Sequence, residues 1–292
     1  MSDQATGGCD FDALVEEAEL GPARRLGSVA VDLAVRSQRT GFTAFDRHLL
    51  VRASRPDLCV IGARPGNGKT SFLVQVLRNV VKAGEGAALM FSLEMDAGQL
   101  KQRAMASELK APINRLQHLP EQRLKAAEQK LETEEFYVDD TSGLDINRLR
   151  QRAMARAKRS KLAAVGVDYL QIVRSDGGDK RSQVGAVAEG LKTLAKDLGI
   201  PVIALAQMSR DIEKRQQLSR SARPAMSDLQ ECSLVENWAD QIVFLDGAGK
   251  RDPSRAGQID TYVAKNRHGP IGEFVLAFDP DTTTFKDFEE GI

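Results

Sequence analysis

Cysteine is scarce in this chain. Cys9, Cys59 and Cys232 are odd in number, far apart, and show no zinc-site or disulfide spacing. A disulfide-stapled scaffold is thereby excluded, and a reducing, cytoplasmic compartment is the expectation. No apolar run approaches the roughly 18 residues a membrane helix needs, and the opening "MSDQATGGCDFD" is acidic where a signal peptide would be basic. Neither a membrane span nor a leader is expected. Excess charge of one sign is missing too, since 41 basic residues balance 41 acidic ones. A nucleic-acid partner would have to be held by local basic patches. His48, His118 and His268 share no metal-ligand spacing and read as structural or surface residues. The single tryptophan, Trp238, reads as core or interface packing in preference to base stacking.

What is present is an ordinary globular composition, 42% apolar and 28% charged over 292 residues, long enough for one large domain with an extension. The extension is expected over 1–37, where "FDALVEEAEL" sets Phe11, Leu14, Val15 and Ala18 on one helical face. The main domain is expected over 38–292, beginning near "GFTAFDRHLL". Short apolar runs, "LCVIGA", "AALMFS", "FYVDD", "LAAVGVDYL", "PVIALAQ" and "QIVFLD", alternate with helical patterns, which argues a mainly parallel α/β sheet flanked by helices. "QIDTYVAKNRHG" and "GEFVLAFD" lack room for a helix between them, so an antiparallel extension should close the chain.

"GARPGNGKTSF" follows the first of those strands. A tight loop of Arg64, Pro65, Gly66, Asn67 and Gly68 lets backbone amides converge on phosphate oxygens at a helix start. Lys69 adds a point charge, Thr70 a hydroxyl for Mg²⁺, and Ser71 completes the phosphate-binding stretch. Ala63 stands where the strict pattern has glycine, and the bland alternative is a structural turn. Carboxylates for the ion and the attacking water should come from strand ends. Asp168, after the longest apolar run, suits the metal side, and Glu94 suits the water, although an acid near a helix start also serves the helix dipole. Asp140 is equally a turn or cap residue, and Asp246 precedes only a loop. Gln207 could sense the γ-phosphate or be an unremarkable polar strand end.

Taken together, "TGFTAFD", "GARPGNGKTSF", "FSLEM" with "QLKQRAMAS", "DDTSGL", "VDYLQIV", "VAEGLKTLAKDLGIPVIALAQMSR", "SDLQECSLVENWADQIVFL" and "AKNRHGPIGEFVLAFD" resemble the C-terminal motor domain of DnaB-type replicative helicases from residue 38 to about 288. The resemblance implies a RecA-like P-loop ATPase fold and an ATP- and Mg²⁺-dependent homo-oligomeric ring, a hexamer, that translocates on single-stranded DNA and separates the duplex. The family tolerates alanine at the Ala63 position. It implies Lys69 and Thr70 at phosphate and Mg²⁺, Glu94 as catalytic base, Asp168 on the metal side and Gln207 as phosphate sensor. Lys265 and Arg267 would reach the ATP of the adjacent subunit, where otherwise they read as edge-strand cations that discourage pairing. The helix near 11–20 would pack on a neighbour, or serve another protein contact. A helicase loader or primase is a further implied partner. The absence of a counterpart to the family's N-terminal domain weighs against primase docking and unaided assembly.

Two segments, "RSDGGDKRSQ" and "SRDIEKRQQLSRSARPAMSDLQECS", read as DNA-facing or simply solvated loops, with Lys180, Arg181, Arg210, Gln230 and Glu231 as the candidate contacts. The family's usual Arg-Glu-Ser-Gly is here "QECS", so Gln230 replaces a cation and Ser233 a glycine. Fewer cations means weaker, less salt-dependent phosphate binding. "RLRQRAMARAKRSK" reads as an exposed helix face. The alternatives are a RecA-like regulatory ATPase or recombination mediator without unwinding and, less consistent with the motifs, a small-molecule kinase.

Overall fold

The computed structural model describes residues 40–49, 56–176, 178–219, 221–229 and 234–288. The expected 1–37 extension and its helix lie outside the described residues, as do Gln230, Glu231 and Ser233. The helices are α1 (Thr43–Leu49), α2 (Lys69–Lys82), α3 (Ala97–Leu109), α4 (Glu121–Glu132), α5 (Ile146–Ala157), α6 (Lys180–Leu198), α7 (Asp211–Leu218) and α8 (Val235–Trp238). The strands are β1 (Leu58–Ala63), β2 (Ala87–Ser92), β3 (Phe136–Asp139), β4 (Leu162–Asp168), β5 (Val202–Gln207), β6 (Gln241–Gly247), β7 (Gln258–Asn266), β8 (Gly272–Asp279) and β9 (Thr284–Asp287). They form one sheet in the order β3-β2-β4-β5-β1-β6-β7-β8-β9. The first six are parallel, and β7, β8 and β9 pair antiparallel. The expected antiparallel pair is therefore three strands, because a turn braced by Asp279 returns the chain as β9.

β1, β2, β4 and β6 are buried along their whole length, as continuous apolar runs covered on both faces should be. One face carries α2, whose Phe72, Leu73, Val76, Leu77 and Val80 recur at helical spacing and are all buried. The other face packs on α5 and α6 through Leu149, Ala153, Val184, Val187 and Leu191. Phe42 and Phe45 of "TGFTAFD" pack their rings 5.2 Å from Phe72, so that motif anchors the entry of the domain to α2. Gly166 lets α2 lie close on β4, since a Cβ there would meet Leu77 at 2.6 Å.

Two local expectations are corrected. The "RSDGGDKRSQ" loop ends early because Asp179 accepts from Ser182 N at 2.7 Å and starts α6, so Lys180 and Arg181 lie in a helical first turn. The second segment is not all loop either. Within it, "DIEKRQQL" forms α7, with Ile212 buried and Asp211 and Glu213 in the first turn where acids favour the helix dipole. Trp238, for which core or interface packing is expected, ends α8 with 36% of its surface exposed in the single chain. "RLRQRAMARAKRSK" does form a helix with an exposed basic face, α5.

Candidate nucleotide site

The glycine loop leaves the carboxyl end of the central strand β1. Gly66 and Gly68 take φ of 83° and 76°, a region that favours glycine, and Gly68 caps α2. A side chain at Gly68 is excluded in any case, because a Cβ would lie 2.8 Å from Phe278 and 2.9 Å from Phe285. Pro65 and Gly66 are exposed at the crest, and buried Asn67 anchors the loop by donating Nδ2 to Leu245 O at 3.2 Å. The Arg64 side chain turns inward to Glu213 and Met208.

At the head of α2, Lys69 Nζ lies 3.2 Å from Glu94 Oε2 and 3.2 Å from Asp168 Oδ1, and 4.3 Å over the Tyr169 ring. Thr70 Oγ1 donates to Asp168 Oδ2 at 2.6 Å. Asp168 is fully buried at the end of β4, whereas the Glu94 side chain is half exposed. Lysine, hydroxyl and two carboxylates thus meet at the positive end of one helix. Glu94 precedes α3, whose cap is Asp96, and its own contact is with Lys69. Ser71 is buried, and its hydroxyl accepts from Arg103 at 3.1 Å. Asp140 also proves structural, accepting from Ala97 N at 2.9 Å. Asp246 is buried against Gln216 and Arg251, and burial pushes its carboxyl above the ordinary carboxylate range.

Gln207 pairs in register with Ala63, at the root of the loop. Its backbone is held from both sides by the Gln171 amide, which donates to Gln207 O at 3.1 Å and accepts from Gln207 N at 3.2 Å. Sequence reasoning does not single out Gln171, Arg103 or Glu213, although Gln171 and Arg103 stand inside quoted motifs and Glu213 inside the quoted segment after β5.

Lys265 and Arg267 lie at the other end of the sheet. Ile242 pairs with Lys265 and Gln241 with Asn266, while Gln241 is level with Cys59 at the start of β1. The length of β1, about 17 Å at strand rise, separates them from the loop of their own chain. Lys265 Nζ donates to Glu236 O, and Arg267 Nη2 donates to Asn237 O at 2.7 Å. Beside them Asp240, Asp57 and His268 surround Lys192, whose ammonium lies 2.5 Å from Asp240 and 3.8 Å from Asp57. That acidic cluster therefore already holds a cation. Of the candidate DNA contacts, Arg181 and Arg210 are exposed, and Lys180 turns back to donate to Gln171 O at 2.7 Å.

A glycine loop of this build, between a central parallel strand and the helix that carries Lys69 and Thr70, marks a P-loop nucleotide-binding protein. Within that class the chain belongs to the DnaB-like helicase C terminal domain family, whose model matches residues 38–287. It is 34% identical over 260 residues to the replicative DNA helicase DnaC of Bacillus subtilis (strain 168) and 35% over 261 residues to the replicative DNA helicase DnaB of Geobacillus stearothermophilus. Both alignments take in 86% of this chain and 56% of the relative, so the chain spans just over half the length of the curated relatives it matches. Among solved structures, one described as an ATPase domain superimposes with a TM-score of 0.79 at 26% identity, covering 86% of this chain and 90% of that one. A DnaB-like replicative helicase, studied with its interactions with primase, gives a TM-score of 0.80 at 26% identity, covering 97% of this chain and 67% of that one. Among the described residues, no helix is long and apolar enough to cross a membrane.

Proposed function

We propose that this chain is the ATP-hydrolysing motor of a ring-shaped DNA helicase, working as a homo-oligomer, a hexamer, that moves along single-stranded DNA. The loop from Arg64 to Ser71 would take the triphosphate, with Lys69 leaving its two carboxylates to face the outer phosphates. Thr70 Oγ1 and Asp168, 2.6 Å apart, form a hard oxygen pair that fits Mg²⁺ beside phosphate and water. That ion, when bound, neutralises charge on the β- and γ-phosphates. Glu94, on the exposed side of Lys69, orients or deprotonates the attacking water, and Gln207 senses the terminal phosphate. A solved relative is described with its interactions with primase, which supports a primase as a partner, although the lack of a counterpart to the family's N-terminal domain weighs against it; a helicase loader is a further proposed partner.

The observation that carries the reading is the separation of Lys265 and Arg267 from their own loop. Cations at one end of a sheet and a phosphate loop at the other suit head-to-tail copies, which close into rings when the rotation permits. Such trans-acting cations contribute on the order of 10³ to 10⁵ in turnover. ATPase assays with and without single-stranded DNA, alongside a mass measurement and a Lys69→Ala control, test it. The expectation is strand-stimulated hydrolysis by an oligomer, abolished in the control. Full-rate hydrolysis by a monomer indifferent to DNA would sink the reading. Gln230 and Ser233, standing where the family has a cation and a glycine, favour one second reading: a RecA-like regulatory ATPase or recombination mediator. Unwinding of a forked duplex separates the two.

A further inference from the structure

The phosphate loop is strapped to the segment that follows β5. Arg64 Nε donates to Glu213 Oε1 at 2.9 Å, and its Nη1 donates to Met208 O at 2.8 Å. One planar guanidinium thus grips one side chain and one backbone carbonyl, a two-point hold that a lysine cannot reproduce. Met208 N also donates to Ala63 O at 3.2 Å, so the segment begins hydrogen-bonded to the root of the loop. Its two limbs are tied to each other. Ser209 N donates to Asp228 O at 2.7 Å, and the buried Asp228 carboxylate accepts from Arg215 at 2.6 Å and from Ala225 N at 2.7 Å. A push on either limb therefore reaches α7, and through Glu213 it reaches Arg64.

An exposed ion pair adds little to stability, and the Glu213 side chain is 43% exposed. Its aim at a residue of the phosphate loop calls for another account. We infer that Glu213 is a positioning residue that couples strand binding on the segment after β5 to the conformation of the phosphate loop through Arg64. This rests on the reading of that segment as the DNA-facing one. In this reading Glu213 acts through Arg64.

The test uses the full chain in its assembled form, with an oligo(dT) strand as probe. In Glu213→Ala, basal kcat, KM for ATP, thermal midpoint and oligo(dT) affinity should stay near those of the parent, while strand stimulation of kcat falls by about tenfold, within the range typical of coupled sites. Glu213→Gln keeps an acceptor without the charge and should recover part of the stimulation. Unchanged stimulation in Glu213→Ala overturns the inference. So does a collapse of basal turnover, which would make Glu213 part of the site itself, or a loss of oligo(dT) affinity, which would make it a strand contact. A parent protein that oligo(dT) does not stimulate removes the DNA-facing reading, and the inference goes with it.

Discussion

Lys265 gives up its proton more readily than an ordinary lysine, first because it is partly withdrawn from water and then because the Arg267 guanidinium is near, against the opposing pull of Glu236 and Asp240. A depressed lysine loses its charge, as pH rises, sooner than a free lysine would. If its ammonium serves the neighbouring pocket, hydrolysis by the assembled protein should decline on the alkaline side through that deprotonation. Lys265→Arg, which stays charged, should carry the alkaline limb of kcat upward. An identical limb in both proteins would remove Lys265 from the chemistry. Glu213 is also shifted downward, with the opposite consequence for a carboxylate: the hydrogen bond from Arg64 holds its carboxyl below the usual range, so the strap loosens on acidification. Strand stimulation should thus be flat across the neutral range, as measured by kcat ratios over pH. Lys69, Thr70, Glu94 and Asp168 are legible as residues because their chemistry fixes their places: a motif at a strand end, and acids after buried runs. The Arg64–Glu213 pair is not, since its partners lie 149 residues apart and neither interrupts a pattern.

At the scale of elements, the phosphate loop depends on glycine for two separable reasons. Gly68 has φ of 76° and two phenylalanine rings against it, whereas Gly84 has φ of 74° with nothing within 4 Å of where a Cβ would sit. Gly84→Ala should therefore lose only the left-handed backbone term, about 1–2 kcal/mol. Gly68→Ala should add overpacking of about 1–3 kcal/mol and weaken nucleotide binding as well. Denaturant midpoints and nucleotide titrations of the two variants check this, and equal losses would count against the packing. The alternation of strands and helices is readable because continuous apolar runs such as "LCVIGA" and "AALMFS" suit a sheet covered on both faces, whereas the strand order is not. The start of α6 and the whole of α7 are not. Their sequences are polar and charged like loops, and what makes them helical is a cap at Asp179 and one buried side chain, Ile212. β9 escapes notice because four residues that pair only with β8 leave too short a pattern to read.

For the whole molecule, the sheet has a phosphate end and a cation end, and the mixed-ring experiment follows from that polarity. Glu94→Ala should silence a subunit's own pocket, and Arg267→Ala the pocket next door. Combined in equal amounts, the two inactive proteins should regain hydrolysis at about a quarter of the interfaces of a randomly filled ring. No recovery at any ratio would count heavily against shared pockets. The other long-range relation is the contact of Phe278 and Phe285, from β8 and β9, with Gly68 at the start of α2. Those two rings leave the ribosome long after the loop they wall. Translation halted between the two would yield a chain with every motif for phosphate and none of the support beneath, so emergence of β8 and β9 and competence to hold nucleotide should arrive together.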